Sequence, residues 1–162
     1  MNEGALHASR PTPRTLELPL PELRFVRRSW SLLSALRASL RTEQNVRFAL
    51  LFGSTATGTD APTSDVDVLV DLRDPSLERV VDLSTKLTAA TGRPVDVVRL
   101  QDAEGDPLFL ADLLVEGRVL VDREGLWPRL RSREPELRRR GRKQEVERTH
   151  SALAGIDRLL AT

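Results

Sequence analysis

The sequence predicts an α+β fold: a small mixed sheet of three or four strands, helices packed on it, and a C-terminal helical extension. Two observations carry this expectation. Short runs rich in Val, Leu and Phe alternate with longer stretches of helical period. Their order, helix–strand–strand–helix–strand–helix–strand, fits a sheet with its helices on one side. The 162 residues suit one domain with appended helices, here divided as a leader over 1–20, a core domain over 21–122 and an extension over 123–162.

Residues 1–20 hold three of the ten prolines and no sustained period, which reads as a mobile leader. Pro21-Glu22 opens a helix, since proline suits a first turn and an acid suits its positive end. Val26, Trp30, Leu33, Leu36 and Leu40 give that helix an apolar stripe through about Thr42, expected to pack on the sheet. Val46 to Phe52 reads as a buried strand, and 53–64 as a turn and loop punctuated by Gly58 and Pro62. Asp65 to Leu72 is the second strand. Asp74-Pro75-Ser76 starts a helix with Leu77, Val80, Leu83 and Leu87 inward, ended by Thr91-Gly92. Pro94 to Leu100 is a third strand. Asp106-Pro107 starts a helix with Leu108, Leu110, Leu113 and Leu114 inward, and Arg118 to Val121 is a short fourth strand. Residues 123–161 read as helix, interrupted near Pro128, Pro135 or Gly141, with Val146, Leu153, Ile156, Leu159 and Leu160 on one face.

Composition narrows the chemistry. There is no cysteine, so disulfides, thiolate metal sites and cysteine nucleophiles are excluded. His7 and His150 sit near opposite ends, which argues against a histidine zinc site. No apolar run is long enough to span a bilayer and no signal region opens the chain, so the expected location is the cytoplasm. The net charge is +1. Residues 129–143 nevertheless carry eight basic residues against two acids. Such a run most often solvates a helix face, and it leaves direct nucleic-acid contact open.

The segment LLFGSTATGTDAPTSDVDVLVDL, residues 50–72, carries the chemistry. Strand side chains alternate faces, so Asp65 and Asp67 project together while Val66, Val68 and Val70 face a core. Adjacent carboxylates repel, and a hard divalent cation relieves that repulsion; Mg²⁺ takes one or two carboxylates plus substrate phosphates. Gly53-Ser54 allows close backbone approach to a phosphate, with a hydroxyl at hand. Asp96, flanked by Val95 and Val97 in the third strand, is a further acid in an apolar setting. Asp71 shares the parity of Asp65 and Asp67 but falls at the strand end and is left out of the candidate site. Arg99 has the parity opposite to Asp96 and is expected to point away.

Gly-Ser, ten residues, Asp-x-Asp, then a strand with a lone Asp resembles the DNA polymerase β-type nucleotidyltransferase superfamily. The resemblance spans roughly residues 30–122. The short length is similar to the minimal nucleotidyltransferases that act as antitoxins beside HEPN-domain ribonuclease toxins. It implies that Gly53 and Ser54 hold a nucleoside triphosphate and that Asp65 and Asp67 bind two Mg²⁺ ions. It implies that Asp96 contacts the second metal or acts as base on an acceptor hydroxyl. The implied reaction moves AMP from ATP to a hydroxyl of a partner protein, a HEPN-type toxin. Two alternatives stay open: transfer to an aminoglycoside-like small molecule or an RNA end, and an antitoxin that acts by binding alone. The long helical extension would also accommodate a second copy of the chain. The sequence departs from its relatives at Thr55 and Thr57, where they often carry arginines. Threonine keeps a hydroxyl and loses the charge, which bears on triphosphate affinity.

Overall fold

The computed structural model describes residues 20–160, with side chains from Ser29 to Ala154 and at Ile156. The leader expected over 1–20 therefore lies outside the described residues except for Leu20, as do the side chains of Val26, Leu159 and Leu160. Helix α1 spans Leu20–Thr42 and strand β1 Val46–Phe52. A five-residue helix α2 follows at once, Gly53–Thr57, then β2 at Val66–Leu72, α3 at Leu77–Thr91 and β3 at Val95–Arg99. The rest comprises α4 (Leu100–Ala103), α5 (Pro107–Glu116), β4 (Arg118–Asp122), α6 (Leu126–Ser132) and α7 (Glu134–Leu160).

The four strands form one mixed sheet in the order β3-β2-β1-β4. β1 pairs antiparallel with both β2 and β4, whereas β2 and β3 run parallel across the α3 connection. An α+β fold with a small mixed sheet is thus what the chain adopts. The expectation that helices cover one side is corrected: both faces are covered. One core joins Leu36, Leu40, Leu83 and Leu87 of α1 and α3 to Ala49, Leu51, Val66, Val68 and Val70. The other joins Leu110, Leu113, Leu114, Leu130 and Leu137 of α5, α6 and α7 to Phe48, Leu50, Phe52 and Leu69. Each fully buried leucine contributes about 1.5–3 kcal/mol of transfer free energy. The central strands are accordingly apolar on both sides, as strands buried on both faces must be.

Two bulges adjust this pattern. The β1–β2 register slips between Val46 and Phe48, so Val46 and Phe48 face opposite cores although they are two residues apart. The β1–β4 register slips between Ala49 and Leu50, and the neighbours Leu120 and Val121 both enter the α1 side.

Several helical expectations need correction. Trp30 is 67% exposed, whereas Leu36 and Leu40 of the expected stripe are fully buried and Leu33 packs on the core; among the described residues of α1, Ser29 and Leu32 take the buried place expected of Trp30. Leu77 of α3 is exposed as well, so Leu83 and Leu87 anchor that helix. The segment after β1 is not all loop, since α2 forms there and ends at Gly58, whose φ is 74°. Asp65 precedes β2 rather than opening it.

The helical C-terminal region breaks once, at Arg133, immediately before Glu134-Pro135 in the first turn of α7. Pro128 lies inside the first turn of α6, and Gly141 interrupts nothing. Asp122 holds the start of α6 by accepting from the Leu126 and Trp127 amides at 2.8 and 3.0 Å. Much of the basic run is spent on internal contacts. Arg133 pairs with Glu104, Arg138 with Glu134 and Asp112, and Arg139 with Glu136, while Arg131 reaches the Leu114 carbonyl and lies over Trp127. Beyond Lys143, α7 is largely exposed, with Val146, Leu153 and Ile156 each about half open. Among the described residues no helix is long and apolar enough to cross a membrane.

Gly141 persists inside α7 because α5 crosses there. A Cβ at this position would overlap Leu108 Cγ and stand 2.8 Å from the Leu108 backbone nitrogen. Alanine gains about 1 kcal/mol in helix propensity, yet overpacking against backbone costs about 1–3 kcal/mol. Gly141→Ala is therefore expected to lower stability, and Gly141→Val to lower it further, in urea unfolding at constant m-value.

Candidate active site

The candidate site forms where β1 ends and β2 and β3 begin. Antiparallel pairing sets Phe52 opposite Asp67, and parallel pairing sets Asp67 opposite Asp96. The three residues form one row across three strands, spaced by about 4.8 Å per strand. Asp67 and Asp96, level in a parallel pair, share a face, and Asp65 shares it by its two-residue spacing. That face is the one on which Phe52 and Leu69 meet α5. Val66 and Val68 point to the other core, as expected.

Gly53 follows Phe52 directly. Its φ of 72° lies in the left-handed region, which suits glycine and allows β1 to turn straight into α2. A Cβ there would stand 2.5 Å from Asp67 Oδ2. The missing side chain is what allows the carboxylate to lie against the backbone of the turn. Ser54 is partly exposed beside it, Asp65 and Asp96 are exposed, and Asp67 is half-buried. Burial pushes the Asp67 carboxyl above the usual aspartate range, and the charges of Asp96 and then Asp65 add to the shift. Asp67 thus senses the charge of both other acids. The three do not close a cage: among the described residues no three metal-ligating side chains converge on one point. An all-oxygen, partly open set of this kind suits Mg²⁺, which completes its shell with water and phosphate oxygens.

Asp71 and Arg99 stand where expected. Asp71 pairs with Arg47 at 2.8 Å, toward the far end of β2. Arg99 is engaged by Asp102 at 2.6 Å and by the Pro75 carbonyl at 2.9 Å. The two threonines of α2 differ from each other. Thr55 is fully buried and its hydroxyl has no hydrogen-bond partner, so this position faces core rather than ligand. Thr57 is exposed, and its hydroxyl contacts the Ser54 carbonyl at 3.1 Å and Thr59 Oγ1 at 2.9 Å.

Arg93 is a structural member of the site that sequence reasoning missed. It pairs with the buried Asp60 at 2.9 Å and donates to the Ser64 carbonyl at 3.0 and 2.5 Å and to the Ala61 carbonyl at 3.4 Å. Next to it, the Val66 amide donates to the Pro94 carbonyl at 2.9 Å. Arg93 thereby ties the loop leading into Asp65 to the start of the strand that carries Asp96. No local pattern announces a partner thirty-three residues away; a lone arginine before Pro94 was the only sign.

With this geometry in place, comparison with known proteins gives the class. The domain family described as "Polymerase beta, Nucleotidyltransferase" matches residues 35–125, more than half of the chain. The chain belongs to that nucleotidyltransferase family. Among solved structures, a chain of a toxin–antitoxin crystal structure with AMP-PNP superposes with a TM-score of 0.62 at 20% identity, covering 75% of this chain and 98% of that one. A chain of the toxin–antitoxin MntA–HepT superposes at 0.58, with 17% identity and 75% and 97% coverage. One from the complex of tri-AMPylated Shewanella oneidensis HEPN toxin with MNT antitoxin gives 0.54, with 16% identity and 83% and 99% coverage. These likenesses establish the shared fold. No curated protein matches the chain.

The Asp67 shift has a consequence for stability. A carboxyl whose folded pKa is raised stabilises the fold below the unfolded pKa and loses that contribution as pH rises through the folded value. At neutral pH the charged Asp67 therefore opposes folding. Asp67→Asn is expected to raise Tm by a few degrees at pH 7 in metal-free buffer, with the gain shrinking as pH falls toward the ordinary aspartate range. Arg93→Ala is expected to lower stability by about 3–5 kcal/mol, because it leaves Asp60 charged and buried without this partner; thermal melts across pH check both.

Proposed function

We propose that the chain transfers AMP from ATP, with Mg²⁺, to a hydroxyl of a partner protein, and that the partner is a HEPN-type toxin. The observation that carries this reading is the row of Asp67 and Asp96 on paired strands beside the tight turn at Gly53. The family match supports nucleotidyl transfer. The nucleotide and partner come from fold relatives, one described with AMP-PNP and one as an AMPylated HEPN toxin with its MNT antitoxin.

In this reading the acceptor hydroxyl oxygen attacks the α-phosphorus of ATP. The bond from that phosphorus to the α–β bridging oxygen breaks, and pyrophosphate leaves. Asp96 is exposed on edge strand β3, open to an incoming acceptor, and takes the hydroxyl proton. Ser54 and the backbone after Gly53 hold the phosphates of the leaving group. Asp65 and Asp67 would hold Mg²⁺, which neutralises charge on the phosphate oxygens when bound. The raised Asp67 pKa supports the assignment, since a bound cation would offset both the burial and the like charges that raise it. Arg93 acts through the loop that it ties and contacts no substrate.

The test is incubation with ATP, Mg²⁺ and the partner, followed by intact mass of the partner. The expected product carries one or more added AMP groups. Asp67→Asn and Asp96→Asn are each expected to reduce the rate by about 100-fold or more while the protein still melts cooperatively. Wild-type rates in the double variant would overturn the site.

Thr57 offers a second test. Of the two threonines it alone is exposed, so it alone can present an added cation. Thr57→Arg is expected to tighten ATP binding by up to roughly tenfold, the range of one charge-assisted phosphate contact. Titration calorimetry measures it, and an unchanged dissociation constant would show that the loop points this position away from the phosphates.

A further inference from the structure

We infer that Phe109 is the stacking wall for the nucleotide's base, so that the same site binds the base as well as the phosphates. This rests on the nucleotide reading above and adds to it a ligand-facing residue outside the acidic motif. Phe109 lies in the first turn of α5, and its ring meets Phe52 edge-on, with centroids 5.9 Å apart and planes at 83°. Phe52 is the cross-strand partner of Asp67. One aromatic contact therefore connects Phe109 to the row of candidate carboxylates.

Elimination sharpens the assignment. The chain has no tyrosine, four phenylalanines and two tryptophans. Among the described residues, Phe48 is fully buried and Phe52 is 7% exposed. Trp127 stacks on Phe48 at the opposite end of β1, where Phe48 pairs with Asp71 and Asp122. Trp30 is exposed, but it belongs to α1, across the sheet from the acids. Phe109, 37% exposed, is thus the described aromatic that is both open and on the carboxylate face.

Its surroundings fix it without covering it. The Phe109 amide donates to Asp106 Oδ1 at 3.1 Å, which pins the first turn of α5, and Pro107 stiffens the same turn. A perpendicular contact with Phe52 uses at most one face of the Phe109 ring and leaves the other for a flat group. Phe109 is 37% exposed and packs on Phe52, the residue opposite Asp67, so its open ring surface lies on the face that carries the acidic row. A purine base gives it a partner, while the acids and the Gly53 turn engage the charged end of the same molecule.

The experiment compares wild type, Phe109→Ala, Phe109→Leu and Phe109→Tyr by titration calorimetry with two probes, MgATP and Mg-tripolyphosphate. Phe109→Ala and Phe109→Leu are expected to weaken MgATP by roughly tenfold, the loss of one base–aromatic stack. Phe109→Tyr is expected to stay within about twofold of wild type, because it keeps the ring. Tripolyphosphate, which has no base, is expected to bind all four alike. Leucine keeps apolar packing on Phe52, so it separates stacking from folding should the alanine variant melt early. Unchanged MgATP affinity in the folded leucine variant would overturn the inference and leave the transfer reading standing. Equal losses for both probes would overturn it too, since the effect would then be structural. A wild type that binds neither probe would remove the nucleotide reading itself, and this inference with it.

Discussion

Three carboxylates held side by side at a sheet end are the constraint to which the rest of this structure answers. Asp67 is the centre of it. It is half-buried, level with Asp96, two residues from Asp65, and so near Gly53 that a Cβ there would stand 2.5 Å from its Oδ2. Burial and like charge both oppose its ionisation. Nothing in the apolar core offsets this, so the surrounding fold must hold the acids in place against their repulsion. The parallel β2–β3 register does so on one side, and the Gly53 turn does so on the other. The acids therefore sit between two anchored segments, and the burial and like charge at Asp67 are what make a cationic ligand worth proposing there.

The two-faced sheet explains how so short a chain anchors that site. A sheet covered on one side would leave the face bearing Phe48, Leu50 and Leu69 open to water. Instead α5 and α7 close over it, and they can approach closely only because Gly141 offers no side chain to Leu108. The same helices bring the first turn of α5 to the edge of the acidic row. Covering the second face and building a wall beside the site are thus one structural event.

The loop between α2 and β2 shows a second economy. Arg93 satisfies two carbonyls and the buried Asp60 at once, and its neighbour Pro94 accepts from the Val66 amide. A loop that would otherwise carry Asp65 on a flexible tether is fixed to the strand that carries Asp96. Buried charges are tolerated when they are paired and hydrogen-bonded, and this pair is both.

The sequence by itself determined the order of the four strands and of the longer helices between them, the approximate strand positions and the alternation that sends Val66 and Val68 one way and Asp67 the other. These are local properties: apolar period, turn residues and the two-residue repeat of a strand act over a few positions. It also determined which acids were worth watching, because carboxylates inside apolar runs are conspicuous in one dimension. Other features were decided only in three dimensions. Trp30 left the core because α1 docks through Ser29, Leu32, Leu36 and Leu40, and periodicity alone does not choose between adjacent helix faces. Thr55 went inward and Thr57 outward because the chain turns into α2 rather than staying a loop. The reach of Arg93 to Asp60, the helices on both sheet faces and the placing of Phe109 against Phe52 each join residues far apart in the chain. Such contacts follow from strand order and packing, which no local stretch of sequence encodes.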